Sequence, residues 1–388
     1  MNKKSADQTE EELLTLYHSI AEGCVECGLC QKDCRFLQKY GSPKEIALPR
    51  SKDPAVLRTS FECSLCWLCT AVCPKKIDPA AMFLAMRRQA QTTGNGTFDK
   101  HGTILRYEHW GLSSAISWYG LPEGCDTILF PGCAMAGSRS ERVIELYTHL
   151  RREIPSLGIV LDCCTKPSHD LGRKEYFSLL FGALRDALVA RGVKQVLVAC
   201  PSCYRVWNDY GGPITVRSIY EQLAETGPVR QVSAPVVVTV HDPCPTRDDP
   251  VIHQAVRKLV TAMGFSLREM KHHGKKTICC GEGGAACYIA SAFARNWTVT
   301  RAREAEGEYM VTYCAGCTNF LSRLSPVGHI TDLFFAPEQT LAGRINITRS
   351  PMTWLKRLRL KRQLRKTVAV KVSGSRSADG RVTLSTHR

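Results

Sequence analysis

Two copies of one cysteine run, C-x2-C-x2-C-x3-C, constrain this chain more than any other feature. Cys24, Cys27, Cys30 and Cys34 form the first copy, and Cys63, Cys66, Cys69 and Cys73 the second. They belong to a total of 20 cysteines in 388 residues. Met1 to Glu12 is polar and acidic, without the apolar stretch of a secretory signal. No run approaches the ~18 apolar residues of a transmembrane helix. Thiols in this number, in a chain that reads as cytoplasmic, point to metal rather than to disulfides. Hydrophobic residues at 44% and charged residues at 23% describe an ordinary globular body.

A [4Fe–4S] cube needs four thiolates. Cysteines at i, i+3 and i+6 wrap one face of it in a tight loop, and in ferredoxin-type pairs the fourth cysteine of each run serves the other cube. This assigns Cys24, Cys27, Cys30 and Cys73 to one cluster and Cys63, Cys66, Cys69 and Cys34 to the other. Pro74 follows Cys73 as in the full motif, whereas Arg35 follows Cys34. That departure touches the folding of the loop and not a ligand. Zinc knuckles also use C-x2-C pairs, but seldom four cysteines in such a short run, twice.

Beyond residue 126 the pattern changes to short apolar strands alternating with helical segments, which implies a parallel sheet. Thr127–Phe130 runs into Cys133, Gly158–Leu161 into Cys163-Cys164, and Gln195–Ala199 into Cys200 and Cys203. The arrangement recurs. Val236–Val240 leads to Cys244, Thr277-Ile278 to Cys279-Cys280, and Met310–Tyr313 to Cys314 and Cys317. An internal duplication of roughly a hundred residues explains this order. Cysteines just after parallel strands lie at the carboxyl edge, where such sheets build their sites. Five thiols per copy exceed the four of a cube. They suit an expanded or distorted cluster, or a site with one cysteine left for chemistry; some of the five could instead be buried core cysteines.

Phe130-Pro-Gly-Cys133, Cys200-Pro-x-Cys203, His241-Asp-Pro-Cys244, Cys279-Cys-Gly-x-Gly-Gly284 and Cys314-x-x-Cys317 resemble the cysteine-rich "CCG" domain. The order of a ferredoxin module followed by two such domains, over about residues 15–335, resembles the catalytic subunit of heterodisulfide reductase in its fused form. Related domains occur in iron–sulfur subunits of glycolate oxidase, lactate utilisation and anaerobic glycerol-3-phosphate dehydrogenase systems. The resemblance implies a multidomain fold: an α-helical two-cluster ferredoxin-type domain (1–95), a linker (96–125), α/β CCG domains related by duplication (126–230 and 231–342), and a tail (343–388). It implies a non-cubane four-iron cluster in each CCG domain. The ligands, which would also be the catalytic residues, are Cys133, Cys163, Cys164, Cys200 and Cys203, then Cys244, Cys279, Cys280, Cys314 and Cys317. Thr165 stands where glycine normally follows the first pair. Cys125 and Cys287 remain, and read as structural thiols.

The function so implied is an iron–sulfur oxidoreductase, one component of a complex, that passes electrons through two cubes to reduce a disulfide or related substrate. The alternative is a non-catalytic electron-transfer subunit linking a flavin dehydrogenase to quinone or a membrane partner. The electron donor would be a flavoprotein, hydrogenase or cytochrome subunit. No G-x-G-x-x-G follows a strand, so nothing supports a flavin or nicotinamide site in this chain. His169, His241, His272 and His273 lie near the motifs, and His241 is a candidate proton donor to a leaving thiolate. A possible capping box joins Thr9 and Glu12 in a helix over 1–23.

The net charge of +16 is concentrated. Residues 343–388 hold 13 Lys and Arg against one acidic residue, Asp379. Ser350-Pro351 reads as an N-cap and N1 pair for a basic helix carrying Leu355, Leu358 and Leu364, suited to a membrane surface or an acidic partner. Thr367 to Arg388 reads as disordered. The rest of the chain is nearly balanced, which disfavours nucleic acid as a partner.

Overall fold

The computed structural model describes residues 3–96, 98–233, 235–377 and 379–387. Helices alone make up its regular elements as far as Leu112. The first runs Lys3–Gly23, and Met1 and Asn2, part of the expected helix, lie outside the described residues. Thr9 falls inside this helix, so the expected capping box is not formed there. Glu12 instead meets Arg88 at 2.5 Å and Lys174 at 3.3 Å. Leu13, Tyr17 and Ile20 pack with Met82, Phe83 and Met86 of the helix Pro79–Thr92. Asp78 caps that helix by accepting the N–H of Ala81, with Pro79 preset for its first turn.

The expected linker 96–125 is structured over most of its length, although Thr97 lies outside the described residues. It contains the helix Gly102–Leu112 and a first strand, β1 (Trp118–Leu121). His101, 1% exposed, packs among the rings of Phe61, Phe98 and Tyr288. Burial, with Arg87 nearby, pushes its pKa down to about 4. The folded chain then binds fewer protons here than the unfolded one, whose histidine titrates near 6.5. The resulting stability is complete above pH ~6.5 and is lost as the pH falls through about 4, by up to ~3 kcal/mol. His101→Phe is expected to flatten this acid limb in urea unfolding between pH 7 and 4.

Two sheets follow. In the first, β2 (Thr127–Phe130), β3 (Gly158–Leu161), β4 (Gln195–Val198) and β5 (Thr215–Ser218) run parallel in the order β3-β2-β4-β5. In the second, β6 (Val237–His241), β7 (Ser266–Arg268), β8 (Tyr309–Thr312) and β9 (Val327–His329) run parallel in the order β7-β6-β8-β9. The apolar runs at β2, β3, β4, β6 and β8 were legible because strands buried on both faces need no polar alternation. Thr277-Ile278 is not a strand. On the side away from β8, β6 pairs with Ser266–Arg268, too short and too polar to stand out in sequence.

The two sheets share one core. Helices Ser140–Glu153, Ile219–Thr226 and Pro250–Ala262 contribute Leu146, Leu150, Leu223, Val256 and Leu259 between them. Tyr220 pins the seam. Its hydroxyl shares its one proton between the carbonyls of Ala199 and Tyr313, both at 2.9 Å, which follow β4 and β8 just before Cys200 and Cys314. Arg139 and Asp332, both buried, add a 2.7 Å ion pair across the seam.

Residues 343–388 differ most from expectation. The basic helix is Thr353–Thr367, starting after Pro351 rather than at it, and it buries Arg357, Leu360 and Leu364. Residues read as disordered form β10 (Val372–Arg376) and β11 (Val382–Thr386). β10 pairs antiparallel with β1, and β1 with β3, so the hairpin extends the first sheet. The polar strand Val-Ser-Gly-Ser-Arg is weak by itself; its hairpin partner β11 is local, but β1, which joins the hairpin to the sheet, lies more than 250 residues away in sequence.

Candidate functional site

The cysteines gather in three places. Cys24, Cys27, Cys30 and Cys73 line a small surface cavity with Cys69. Cys27 is exposed, and Val25 and Leu29 of the same loop are 55% and 51% exposed. Cys34, Cys63, Cys66 and Cys69 line a second, deeper cavity next to it. The i, i+3, i+6 spacing thus brings each set of three together, with the fourth cysteine crossing between runs. Burial and the neighbouring thiols push Cys30 up to about 11 and Cys66 up to about 12.

The third place is a cavity of about 800 Å³ between the two sheets. Cys133, Cys163, Cys164, Cys200 and Cys203 line it from the first sheet, and Cys244, Cys280, Cys314 and Cys317 from the second. All these residues follow carboxyl ends of strands or the loops beside them. In the first group, Cys164 and Cys203 Sγ are 3.3 Å apart, and Cys133 is in hydrogen-bond contact with Cys163. In the second, contacts run from Cys244 through Cys279, Cys280 and Cys317 to Cys314. Gly132 has φ +79°, and a Cβ there would sit 2.9 Å from the Cβ of Cys200. Only glycine lets the chain close over the group. Thr165 (φ 54°) makes the left-handed turn that Gly281 (φ 111°) makes in the second group, so the sequence departure leaves the turn in place.

Cys279 does not face this cavity. It is fully buried and packs with Cys66 and Ile278, behind the deeper ferredoxin-type cavity. A Cβ on Gly283 would lie 2.5 Å from the carbonyl oxygen of Ser64, and one on Gly284 2.9 Å from that of Cys63. Arg247 donates to the Cys66 carbonyl at 2.9 Å and to that of Thr277 at 2.6 Å. The second cysteine group therefore abuts the N-terminal cysteines directly.

Sequence reasoning missed several cavity residues. Glu282 lies on the wall, against Gly316 between Cys314 and Cys317. Its exposure is to the cavity, and the enclosing protein pushes its carboxyl up to about 7. It stands inside the Cys-Cys-Gly-Glu-Gly-Gly motif, which was the available signal. Cys287, read as a structural thiol, also lines the cavity, with Lys166, Arg295 and Arg323. The three cations carry no local signal that separates them from solvated helix faces. Cys125 lies at the start of β2 with its thiol toward the Thr127 carbonyl, 3.3 Å away.

His241 is fully buried, and its ring lies within 4.8 Å of the Cys280 and Cys317 sulfurs. It does not line the cavity, which removes it as a proton donor to a molecule bound there. Neither ring nitrogen has a partner among the described residues. His169 bonds Asp170 and Tyr210, and His273 bonds the Met270 carbonyl. His272 lies 3.3 Å from Asp33 and also pairs with Glu304.

This donor set fits iron–sulfur clusters. The thiols are free of disulfides, and burial among other thiols pushes Cys34 and Cys69 well above the ordinary thiol range. Grouped thiols of this kind ionise together only against a concentrated positive charge, which a metal supplies. The orphaned imidazole of His241 is a donor suited to sulfur.

Residues 20–77 match the family model described as a 4Fe-4S dicluster domain, and residues 238–322 the one described as a cysteine-rich domain. One component of the fumarate reductase (CoM/CoB) of Methanothermobacter marburgensis is 24% identical over 298 residues, covering 68% of this chain and 59% of that protein. EtfAB:quinone oxidoreductase of Syntrophomonas wolfei is 26% identical over 60% of this chain and 37% of that protein. One component of the dihydromethanophenazine:CoB–CoM heterodisulfide reductase of Methanosarcina barkeri is 22% identical over 73% of this chain and 83% of its own length. The chain thus spans only about a third to three fifths of the first two relatives. Among the described residues, no helix is long and apolar enough to cross a membrane.

Proposed function

We propose that this chain, an iron–sulfur oxidoreductase of the heterodisulfide reductase-like family, passes electrons from its surface cysteine loop to a disulfide substrate held between its two sheets. The observation that carries the reading is the cavity of about 800 Å³ with five cysteines on one wall and four on the other. Cys24, Cys27, Cys30 and Cys73 would hold one [4Fe–4S] cluster, and Cys34, Cys63, Cys66 and Cys69 the other. The duplicated domains would hold non-cubane clusters through Cys133, Cys163, Cys164, Cys200 and Cys203, and through Cys244, Cys279, Cys280, Cys314 and Cys317. When bound, such clusters supply one-electron storage and iron with affinity for sulfur.

The chain's own residues do the rest. The exposed loop around Cys27, with Val25 and Leu29, suits a docking electron-donor protein of the flavoprotein, hydrogenase or cytochrome kind. The contact of Cys66 with Cys279 favours the second cysteine group as the one nearest the relay. Reduction breaks one S–S bond and forms two S–H bonds, consuming two electrons from the donor and two protons. Glu282 Oε2, beside Gly316, is placed to hold one of those protons. Lys166, paired with Asp170 at 2.5 Å, lines the cavity together with Arg295 and Arg323.

Iron and acid-labile sulfide counts on anaerobically purified protein test this. Four filled sites give ~16 irons per chain and the N-terminal pair alone gives ~8. The reading also expects a thiol added to oxidised protein to change the EPR spectrum of a cluster facing the cavity. About eight irons after reconstitution, with no thiol effect and co-purification of a flavoprotein, would instead establish a two-cluster relay protein.

A further inference from the structure

The two cysteine groups draw their buried positive charge from different parts of the chain. The second is served from within residues 231–342. Arg247 and Arg301, each at most 1% exposed, bond the backbone and side chain of Thr277, just before Cys279. The first has no such internal cation. Arg139, the buried arginine of residues 126–230, is committed to Asp332. Its place is taken by two arginines from the basic C-terminal segment.

Arg376 of β10 is fully buried. Its guanidinium donates to the Asp162 carboxylate at 2.7 Å, the Cys163 carbonyl at 2.8 Å and the Leu180 carbonyl at 2.6 Å. Asp162 in turn accepts the backbone N–H of Cys163 at 2.7 Å and the hydroxyl of Tyr119. The turn that presents Cys163 and Cys164 is thus held from both its carbonyl and its amide side. Register fixes the guanidinium: Tyr119 pairs with Gly374, and Ser117 Oγ exchanges hydrogen bonds with the Arg376 carbonyl and N–H, both at 2.9 Å. Arg357, 2% exposed, approaches from the other side. It lies 5.2 Å from the Trp354 ring and 5.9 Å from that of Tyr107, whose hydroxyl donates to the Cys133 carbonyl at 3.2 Å. Arg357 Nη1 is buried with no partner among the described residues.

We propose that the C-terminal segment 353–386 is a built-in part of the first cysteine-rich site, with Arg376 and Arg357 as positioning residues for Cys163-Cys164 and Cys133. This rests on the reading of those cysteines as cluster ligands. Buried cations beside a thiolate group offset its negative charge, and hydrogen bonds around the ligands orient them. The charge excess of the tail then has an internal use: two of its thirteen cations close a site more than 200 residues upstream. It also follows that the two sites differ in assembly, since the first is incomplete until the last strand pair has formed.

The test uses the full-length, anaerobically reconstituted protein. Arg376→Met is expected to lower iron from ~16 to ~12 per chain and to remove one set of cluster EPR signals, leaving those of the N-terminal pair and the second group unchanged. Arg376→Lys should restore part of that iron, because it keeps the charge but not the fork that reaches three acceptors. Arg357→Met should retain iron but shift the EPR signal and midpoint of the same cluster. Should Arg376→Met fail to fold because it strands the Asp162 charge, Asp162→Asn/Arg376→Met removes that charge and takes its place. Full iron with unchanged signals in these variants overturns the proposal, as does equal loss from all clusters. Cys163→Ala separates this inference from the reading beneath it. Iron lost in Cys163→Ala but kept with unchanged signals in Arg376→Met sinks the inference alone, whereas iron kept in Cys163→Ala sinks the ligand assignment.

Discussion

Arg87→Met is expected to lower the unfolding free energy by at least ~4 kcal/mol and to uncouple the N-terminal cysteines from the rest of the molecule. Arg87 projects from the helix Pro79–Thr92 and is fully buried. Its guanidinium donates to the carbonyls of Ser60, Cys63, Asp170 and Gly284. Those four carbonyls belong to three separate regions, the N-terminal module and both sheet domains. Each bond from a charged donor contributes ~1.5–3 kcal/mol, and losing the donor leaves buried carbonyls unsatisfied. The guanidinium also answers a charge problem. These bonds all go to neutral carbonyls, so its countercharge has to come from the neighbourhood, where Cys63 is the first source. A thiolate group at Cys63 would stabilise Arg87, and Arg87 would stabilise the thiolates. Arg87→Lys should recover little, because one ammonium cannot reach four acceptors. The measurement is urea unfolding with iron counted on the folded fraction. A change under ~1 kcal/mol with full iron would show that packing alone joins the module to the sheets.

The sequence made the cysteines legible because metal-ligand spacing is a local signal. Cys24, Cys27 and Cys30 lie within one loop, and no tertiary contact is needed to see that they converge. The central strands were legible for a related reason, since β2, β4, β6 and β8 are short, mostly apolar runs, buried over nearly their whole length. What could not be read depends on contacts between distant residues. Arg376 looks like one of thirteen tail cations until β10 is set beside β1. Cys287 looks like a leftover thiol until the cavity is formed around it. Arg87 sits in a helix whose sequence gives no reason for an arginine on its buried face; the reason is four carbonyls brought there by folding. Thr165 was the converse case. Its type argued against a left-handed turn, which the packing around Cys164 enforces at a cost of order 1 kcal/mol.

Glu282→Gln is expected to reduce the turnover of the proposed disulfide reduction by ~10²-fold or more while leaving iron content and cluster EPR unchanged. Reduction of a disulfide to two thiols consumes two protons. His241 does not line the cavity; of its two carboxyl groups, Asp170 is paired with Lys166, which leaves Glu282 as the carboxylic acid beside the second cysteine group. Glu282 lies between Gly281 and Gly283, where a left-handed turn and a close backbone approach to Ser64 fix the direction of the chain. Its carboxyl reaches so near Gly316 that any side chain there would collide with it. That places the acid against Gly316, between Cys314 and Cys317, on the cavity wall of the second group. Glutamine keeps the shape and the hydrogen-bonding amide but cannot give up a proton at the required rate. Binding should therefore survive: the thiol-induced EPR change ought to appear at the same thiol concentration in Glu282→Gln as in the parent. Gly316→Ala offers a second readout, since its Cβ would displace the carboxyl without removing it, and it should cost activity in the same step. Turnover within threefold of the parent in Glu282→Gln would assign the proton to another group on the wall, with Cys287 the next to change.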